Sequence, residues 1–505
     1  MHQTSSRLLR MTEDDRPFTR DFKDLFSTLM VSLPLTPHRV RFQKIEHTFT
    51  AEEAITNLGS LKFSQSNRMP DPKDPSRIVT TTTTTTFSMA KEMARSVCTR
   101  FGEARFIEPV DNKSDFSSKS SVWQLTPKGM HVLSRFCQRN GINQRHINDV
   151  LASPRNTMSL VILEREVDTD KLIRDRGTVE VIFRRFAGPE GPNVKTTVSA
   201  SDSDSLSDYA TGQVGVKVAE KRRVGSRVYT DTFTGKAAVD WLMDCATVVD
   251  RRETYEMCTW FIEHGFILPV NNPNDSPTSS TNGQYTGAPK FQPSKNAYYE
   301  FTVKGRKTAG WINSPPNSIH DDTAARNVAG QSRDSNANRM LLIIKDPALR
   351  LLFREFLRDT HCEENLSFYL DVNEFLRQNE NAQQSVANAT PGNQKLEIVR
   401  ETLASAYSLY NAFLAPGSPC ELNIDHSLRN ALASRMTRAV GDDKSMVASL
   451  KEVASLFQRA QNSVFKLMAS DSVPKFVREP KYSSMLRERN FDSVLATTLQ
   501  GASIS

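Results

Sequence analysis

The sequence predicts a multidomain protein in which a small α+β unit occurs twice and is followed by an all-α helical bundle. Three observations carry this. The chain has 505 residues, which at roughly 100–200 residues per domain asks for about three domains. Three sequence blocks recur in the same order in two parts of the chain. From about Arg339 onward, apolar residues return at helical spacing, and no strand pattern of comparable strength interrupts them.

The repeat begins where Thr48-Phe49-Thr50-Ala51-Glu52-Glu53-Ala54-Ile55 matches Thr232-Phe233-Thr234-Gly235-Lys236-Ala237-Ala238-Val239. Phe106-Ile107-Glu108-Pro109-Val110 then matches Phe266-Ile267-Leu268-Pro269-Val270. Val122-Trp123-Gln124-Leu125-Thr126-Pro127-Lys128-Gly129 matches Tyr298-Tyr299-Glu300-Phe301-Thr302-Val303-Lys304-Gly305. Two copies are too few for a solenoid, so a duplicated domain is expected. Within a copy, Ala237, Ala238, Trp241 and Leu242 keep helical spacing, as do Met257, Trp260 and Phe261. Trp241, Trp260 and Phe261 read as core. Phe266 to Val270 is a short apolar run and Tyr298 to Val303 alternates, so the two predict a hairpin behind the helices. The spacers differ between copies. Pro70, Pro72, Pro75 and the run Thr80 to Thr86 in the first, and Ser276 to Gly283 in the second, read as surface insertions.

Between the copies, Gly177 to Phe183 alternates like a strand and follows Leu160-Val161-Ile162-Leu163. Ser199 to Ser205 reads as a linker open to phosphorylation. A second polar linker runs from about Asn313 to Asn338. Beyond it Leu349, Leu352, Phe353, Phe356 and Leu357 form one helical stripe, Phe368, Val372 and Phe375 continue it, and Val453, Leu456, Phe457, Ala460, Val464 and Leu467 form another. These patterns divide the chain into an N-terminal tail (1–35), a first α+β unit (36–140), a connector with strand-like segments (141–198), a polar linker (199–214), a second α+β unit (215–312), a linker (313–338), the helical bundle (339–494) and a C-terminal tail (495–505).

Composition narrows the function. The chain is 38% hydrophobic and 24% charged, with 65 basic and 58 acidic residues and a net charge of +7. Residues 339–492 are almost charge-balanced, so the positive excess lies ahead of the bundle. A mild excess without a dense basic block suits an anionic membrane or partner better than a dedicated nucleic-acid binder. The six cysteines form no Cys-x-x-Cys pair, which argues against a disulfide scaffold and against structural zinc. The first residues lack the apolar core of a secretory signal, and no run approaches about 18 apolar residues. A cytosolic protein with reduced thiols is the expectation. No phosphate-binding loop, dinucleotide fingerprint or His-Glu-x-x-His motif occurs, and no cofactor is implied. His361-Cys362-Glu363-Glu364 reads as a helix start whose acids complement the helix dipole, with no metal-ligand spacing.

The stretch Asp346 to Leu357, followed by Cys362-Glu363-Glu364-Asn365-Leu366-Ser367-Phe368-Tyr369-Leu370, closely resembles the regulator of G-protein signalling (RGS) domain. Tyr410 to Leu414, Glu421-Leu422-Asn423-Ile424-Asp425 and Phe465 to Ser472 extend the match in order. The resemblance implies an all-α bundle that binds the GTP-bound Gα subunit of a heterotrimeric G protein and speeds its GTP hydrolysis without supplying a nucleophile. It places Glu364 and Asn365 in a first Gα-contacting loop and Asn423 in a second, nearest the Gα glutamine. Leu467, Asp471 and Ser472 are placed against the first switch. Lys475 stands where the family usually has arginine. Pro474 restricts Val473 and is expected to shorten the helix. Gln378 to Asn393 is longer than the family norm and is expected to be a loop.

Thr232 to Met243, Arg251-Arg252-Glu253-Thr254, Phe266 to Val270 and Tyr299-Glu300-Phe301 resemble the DEP domain, a small winged helix. The first copy is more diverged, with Asn57-Leu58 in place of Trp241-Leu242. Two DEP-like winged-helix units ahead of an RGS bundle resemble the fungal regulators that desensitise receptor-coupled G proteins in mating and development. The resemblance implies cytoplasmic residence with peripheral recruitment to the plasma membrane, through anionic lipid or a receptor tail. Lys217, Lys221, Arg222, Arg223 and Arg227 precede the second copy and are the candidates for that contact. The alternatives are a non-catalytic Gα- or receptor-binding scaffold and, more remotely, a winged-helix DNA binder.

Overall fold

The computed structural model describes residues 9–70, 78–86, 88–111, 115–202, 209, 211–270, 290–312, 333–387, 392–418, 420–438, 443–488 and 491. They form two compact units, one of residues 1–63, 86–134 and 144–319 and the other of residues 64–85, 135–143 and 320–505.

The duplicated sequence folds twice through the same succession of helix, β-ribbon, two helices and hairpin. The first copy runs α1 (Thr19–Ser32), β1 (His38–Val40), β2 (Gln43–Ile45), β3 (Thr48–Thr50) and α2 (Ala51–Gly59). An inserted pair of strands follows, β4 (Lys62–Pro70) and β5 (Ile78–Thr86). Then come α3 (Lys91–Glu103), β6 (Ile107–Pro109), β7 (Val122–Leu125) and α4 (Pro127–Asn140). After α5 (Arg145–Leu151), the second copy runs α6 (Arg176–Ala187), β8 (Asn193–Lys195), α7 (Val198–Ser201), β9 (Lys217–Val224), β10 (Arg227–Thr234), α8 (Gly235–Cys245), α9 (Arg251–Glu263), β11 (Ile267–Pro269), β12 (Tyr298–Phe301) and α10 (Val303–Ala309).

The registers repeat as well. In the sheet β3-β7-β6, Trp123 stands opposite Phe49 and Pro109; in the sheet β11-β12-β10-β9-β8, Tyr299 stands opposite Phe233 and Pro269. The hairpin expected from residues 266–303 is thus present as β11 and β12. Thr50 and Thr234 cap the helices that follow them, accepting from the Glu53 and Ala237 amides. Thr126 and Thr302 each donate to the carbonyl of the equivalent phenylalanine of their copy, Phe106 or Phe266, and accept from the Gly129 or Gly305 amide. A Cβ at Gly129 would lie 1.9 Å from the Phe106 carbonyl oxygen, and one at Gly305 2.1 Å from that of Phe266. Both glycines are therefore set by close backbone approach.

The aromatic cores correct three expectations. Thr19–Ser32, read as tail, is a helix whose Phe22 and Phe26 pack on Phe101 (4.9 Å) and Phe106 (4.8 Å). Gly177 to Phe183, read as a strand, lies inside α6, which Asp175 caps through the Thr178 amide. Phe183 stacks on Phe266 (4.6 Å) and Phe186 meets Trp241 edge-to-face (5.5 Å), so α6 is the second copy's counterpart of α1. The connector 141–198 thus holds helices, and each copy starts earlier than its sequence pattern suggested. Trp241, Trp260 and Phe261 are buried, as expected of core residues.

Further corrections concern the insertions. The threonine run pairs as β5 with β4, in keeping with the preference of β-branched residues for strands. The polar stretch at Ser199 is ordered at its start: Thr197 caps α7, and Asp202 accepts from Arg222. Residues 203–208 and the insertion 276–283 lie outside the described residues, as does the tail 495–505. Between the copies, buried Lys128 donates to the carbonyls of Met243 and Val248, and Arg105 pairs with Asp240 at 2.9 Å.

In the second unit, α11 (Arg333–Lys345), α12 (Pro347–Asp359), α13 (Glu363–Ala387), α14 (Gly392–Phe413), α15 (His426–Arg438), α16 (Asp443–Leu467), α17 (Val473–Arg478) and α18 (Pro480–Glu488) follow in order. The last part of the expected linker, 333–338, is already helix, and 313–332 lies outside the described residues. Gln378 to Asn393, expected as a loop, lengthens α13 and begins α14; only 388–391 fall outside the description. The stripes of Leu352, Phe353, Phe356, Phe368, Phe375, Val453, Phe457 and Val464 are buried. Asp346 caps α12, and Pro347 sits at its first position, where the missing N–H costs nothing.

The two kinds of glycine predict opposite outcomes. Gly129→Ala and Gly305→Ala should each destabilise the protein by about 1–3 kcal/mol through overpacking. Gly102→Ala in α3, whose Cβ would meet Trp123 at an ordinary 3.6 Å, should stabilise it by about 0.5–1 kcal/mol. Thermal unfolding of the three variants reads the signs directly.

Candidate functional site

Three segments of the second unit carry the candidate residues: the α12–α13 corner, the loop 414–425 between α14 and α15, and the α16–α17 junction. Their charges act on two cysteines. Burial raises the Cys362 thiol in the corner, and the carboxylates of Glu364 and of Asp471 in the junction raise it further. Burial raises Cys420 in the loop; Arg135 opposes this and the carboxylates of Glu364 and Glu363 add to it. The corner therefore lies within electrostatic reach of both other segments.

The corner turns tightly at His361, which has a left-handed φ of 56°. Asn365, only 8% exposed, donates from Nδ2 to the Cys362 carbonyl and to Glu364 Oε1, each at 3.2 Å. Its amide is spent on pinning the corner. Glu364 is half-buried, and burial, with help from Glu363, raises its carboxyl above the usual range. Glu363 forms an ion pair with Arg135 of segment 135–143, which belongs to the same unit. The sequence carried no sign of this partner, 228 residues away.

The loop 414–425 is built differently. Leu422 and Ile424 are buried, while Asn423 between them is exposed. The Leu422 amide donates to the Phe413 carbonyl at 2.8 Å, and Arg429 Nη2 donates to the Leu422 carbonyl at 2.6 Å. Arg429 also pairs with Glu421. Asp425 caps α15 through the Leu428 amide. Among the described residues no hydrogen bond engages the Asn423 side chain, so both its donor and its acceptor face outward.

At the junction, Leu467 is 41% exposed and Asp471 is exposed, pairing with Lys475 at 2.8 Å. Ser472, expected on the contact surface, is instead buried. Pro474 does not end the helical path here. The path widens into a π turn, Met468–Ser472, whose i→i+5 bond runs from the Val473 amide to the Met468 carbonyl, and α17 begins directly with Pro474 in its first turn. A π turn changes which residues face outward and absorbs the N–H that proline lacks. This explains why Asp471 is exposed and Ser472 is not.

The basic candidates in the first unit separate. Lys217 is buried, with its ammonium 5.1 Å from the Tyr209 ring centroid. Arg222 is buried too, paired with Asp202 and 4.4 Å from the Tyr298 ring. These two hold the fold together and are unavailable to a partner. Lys221, Arg223 and Arg227 are exposed on the ribbon β9–β10. No helix among the described residues is long and apolar enough to cross a membrane.

Comparison with known proteins matches this geometry segment by segment. Residues 339–485 match the model of the regulator of G protein signaling domain, and residues 215–301 match the domain found in Dishevelled, Egl-10 and Pleckstrin (DEP). Residues 21–153 match a separate model, the fungal-differentiation regulator winged helix domain, so the first copy is a winged helix that matches its own family model rather than a second DEP domain. That match starts inside α1, in agreement with the packing of Phe22 and Phe26. The chain is 63% identical over 497 residues to the developmental regulator flbA of Emericella nidulans, covering 98% of this chain and 67% of that protein. It is 30% identical over 492 residues to regulator of G-protein signaling 1 of Schizosaccharomyces pombe, covering 94% of this chain and 92% of that protein. Regulator of G-protein signaling 7 of Mus musculus is 27% identical over 154 residues, covering 30% of this chain and 26% of that protein.

The brace predicts two separable outcomes. Arg429→Ala should speed hydrogen exchange at the Leu422 and Ile424 amides by loosening the loop. Asn423→Ala, which removes an exposed side chain, should leave the unfolding free energy unchanged to within about 0.5 kcal/mol.

Proposed function

The chain belongs to the fungal regulators of G-protein signalling, and from that premise we propose that it is a GTPase-activating protein for the GTP-bound α subunit of a heterotrimeric G protein. The observation that carries the reading is the exposed amide of Asn423, unpartnered among the described residues and held between two buried neighbours, in a loop whose Cys420 feels the charge of Glu364.

The reacting groups belong to Gα, where an arginine acts in cis and a glutamine orients the attacking water. This chain supplies no nucleophile and is not itself the enzyme. It contributes contacts that are stronger to the switch loops in their transition-state arrangement than in the resting one. A hundredfold acceleration needs only about 2.7 kcal/mol of such preference. Asn423 donates and accepts at once, which suits a place beside the Gα glutamine and a switch hydroxyl. Asp471 accepts backbone N–H groups of the first switch. Its pair with Lys475 is exposed on both sides and is worth at most about 1 kcal/mol, so exchanging it for those amides costs little. Glu364 offers a carboxylate held in place by Asn365, and Leu467 an apolar contact. Asn365 and Ser472 act from within the fold, as positioning residues.

The winged-helix half recruits the protein to the plasma membrane, through anionic lipid or a receptor tail. Lys221, Arg223 and Arg227 are its available charges in the DEP domain. With Lys217 and Arg222 buried, two of the five basic candidates are lost to any partner, which weakens the case for a duplex more than the case for a membrane surface.

Single-turnover GTP hydrolysis by purified Gα, with and without the full chain, tests the reading. The chain should raise the rate at least tenfold, and Asn423→Ala should remove most of that gain while the protein stays folded. A chain that binds Gα at saturation without raising the rate would be a scaffold, and the activator reading would fall.

A further inference from the structure

The ribbon β1–β2 of the first winged helix carries residues that the fold does not use. Its three cross-strand pairs are His38–Ile45, Arg39–Lys44 and Val40–Gln43, and Arg41-Phe42 makes the turn. Phe42 is 98% exposed. Arg41 takes a left-handed φ of 57°, where glycine or asparagine would sit with less strain. Arg39, Arg41 and Lys44 are all exposed. Glu46 pairs with Lys44 at 2.9 Å across exposed side chains, and among the described residues neither Arg39 nor Arg41 has an ion pair. An exposed phenylalanine beside an arginine held at a left-handed φ gains nothing for the fold and is free to meet a partner outside it.

The second copy repeats the layout on its own ribbon, between α7 and α8. On β9–β10, Val228 is 62% exposed, follows Arg227 and faces Arg223 across the ribbon, with Lys221 nearby on β9. In both copies an apolar residue follows an arginine on a cationic ribbon.

We propose that the β1–β2 ribbon is a membrane-docking finger: Phe42 enters the interfacial layer of an anionic bilayer while Arg39 and Arg41 contact lipid phosphates. A single aromatic with flanking cations fits this occupant. Aromatic rings settle at the headgroup level, and each nearby basic residue adds attraction to anionic lipid. Around Phe42 the exposed residues of the strands and turn are Arg39, Arg41, Gln43 and Lys44, with Val40 and Ile45 half-buried, a setting that matches the charge of an anionic headgroup layer. The proposal rests on the membrane-recruitment reading above and gives it a site outside the DEP domain.

The test is co-sedimentation of the full chain with phosphatidylcholine–phosphatidylserine vesicles and with pure phosphatidylcholine vesicles. Wild type should pellet with the first. Phe42→Ser should weaken that partition on the order of tenfold, and Arg39→Gln/Arg41→Gln on the order of 30-fold. All variants should keep the wild-type thermal midpoint, because none of these side chains packs in the core. Phe42→Trp should add lipid-dependent quenching by brominated phosphatidylcholine in the mixed vesicles. If wild type pellets with neither vesicle, the recruitment reading and the finger fall together. If it pellets with anionic vesicles and Phe42→Ser pellets equally well, the finger alone is overturned. Vesicle binding unchanged in Phe42→Ser, with binding of a receptor-tail peptide lost, would assign the ribbon to a protein and also overturn it.

Discussion

The outward amide of Asn423 exists because its neighbours are held inward. Leu422 and Ile424 are buried on either side, the Leu422 amide is bonded to Phe413, and Arg429 grips the Leu422 carbonyl. Alternation in an extended stretch turns every second side chain to the opposite face, so burying residues 422 and 424 leaves 423 nowhere to go but solvent. Burying an aliphatic side chain contributes roughly 1.5–3 kcal/mol, and two of them on a short loop outweigh the entropy freed by letting its tip relax. The surface contributed by Glu364 and Asp471 is organised around this point. Asn365 uses its own amide to pin the corner, and the π turn before Pro474 rotates Asp471 outward and Ser472 inward. A surface held this way is preorganised, which is what the proposed stabilisation of one arrangement of a partner's loops requires.

The winged-helix half follows a different logic, in which one structural solution is used twice. Thr126 with Gly129 and Thr302 with Gly305 lock the hairpin carbonyl of Phe106 or Phe266 against the start of the next helix. The lysine between each threonine and glycine has diverged in its role. Lys304 donates to the nearby His264 carbonyl at the surface. Lys128 reaches into the second copy and donates to two of its carbonyls, although burial pushes its ammonium below the usual lysine range. These two Lys128 contacts and the Arg105–Asp240 ion pair help to join the copies within one compact unit.

The repeated blocks and the helical stripes were legible because each reflects a local requirement: a cap, a close approach or a buried face. Other features were not. α6 is buried on most of its surface, so Val179, Val181, Ile182 and Phe183 lack the polar stripe that marks a helix, and the run passes for a strand. α1 did carry a signal, since Phe22, Leu25, Phe26 and Leu29 recur at helical spacing, but no repeated block overlaps it. Charge alone marked Lys217 and Arg222 as surface residues; their burial depends on Tyr209, Tyr298 and Asp202, whose positions only the fold determines. Pro474 announced a break in the helix without saying how it would be resolved, and the burial of Ser472 follows from that resolution.

The central claim is that this surface prefers one state of Gα. The direct measurement is the affinity of the full chain for purified Gα bound to GDP with aluminium fluoride, to a non-hydrolysable GTP analogue, and to GDP alone. The account predicts tightest binding to the aluminium fluoride form, by a factor close to the rate acceleration, and loss of that preference in Asn423→Ala. Equal affinity for the aluminium fluoride and GTP-analogue forms, in a chain that still accelerates hydrolysis, would contradict it.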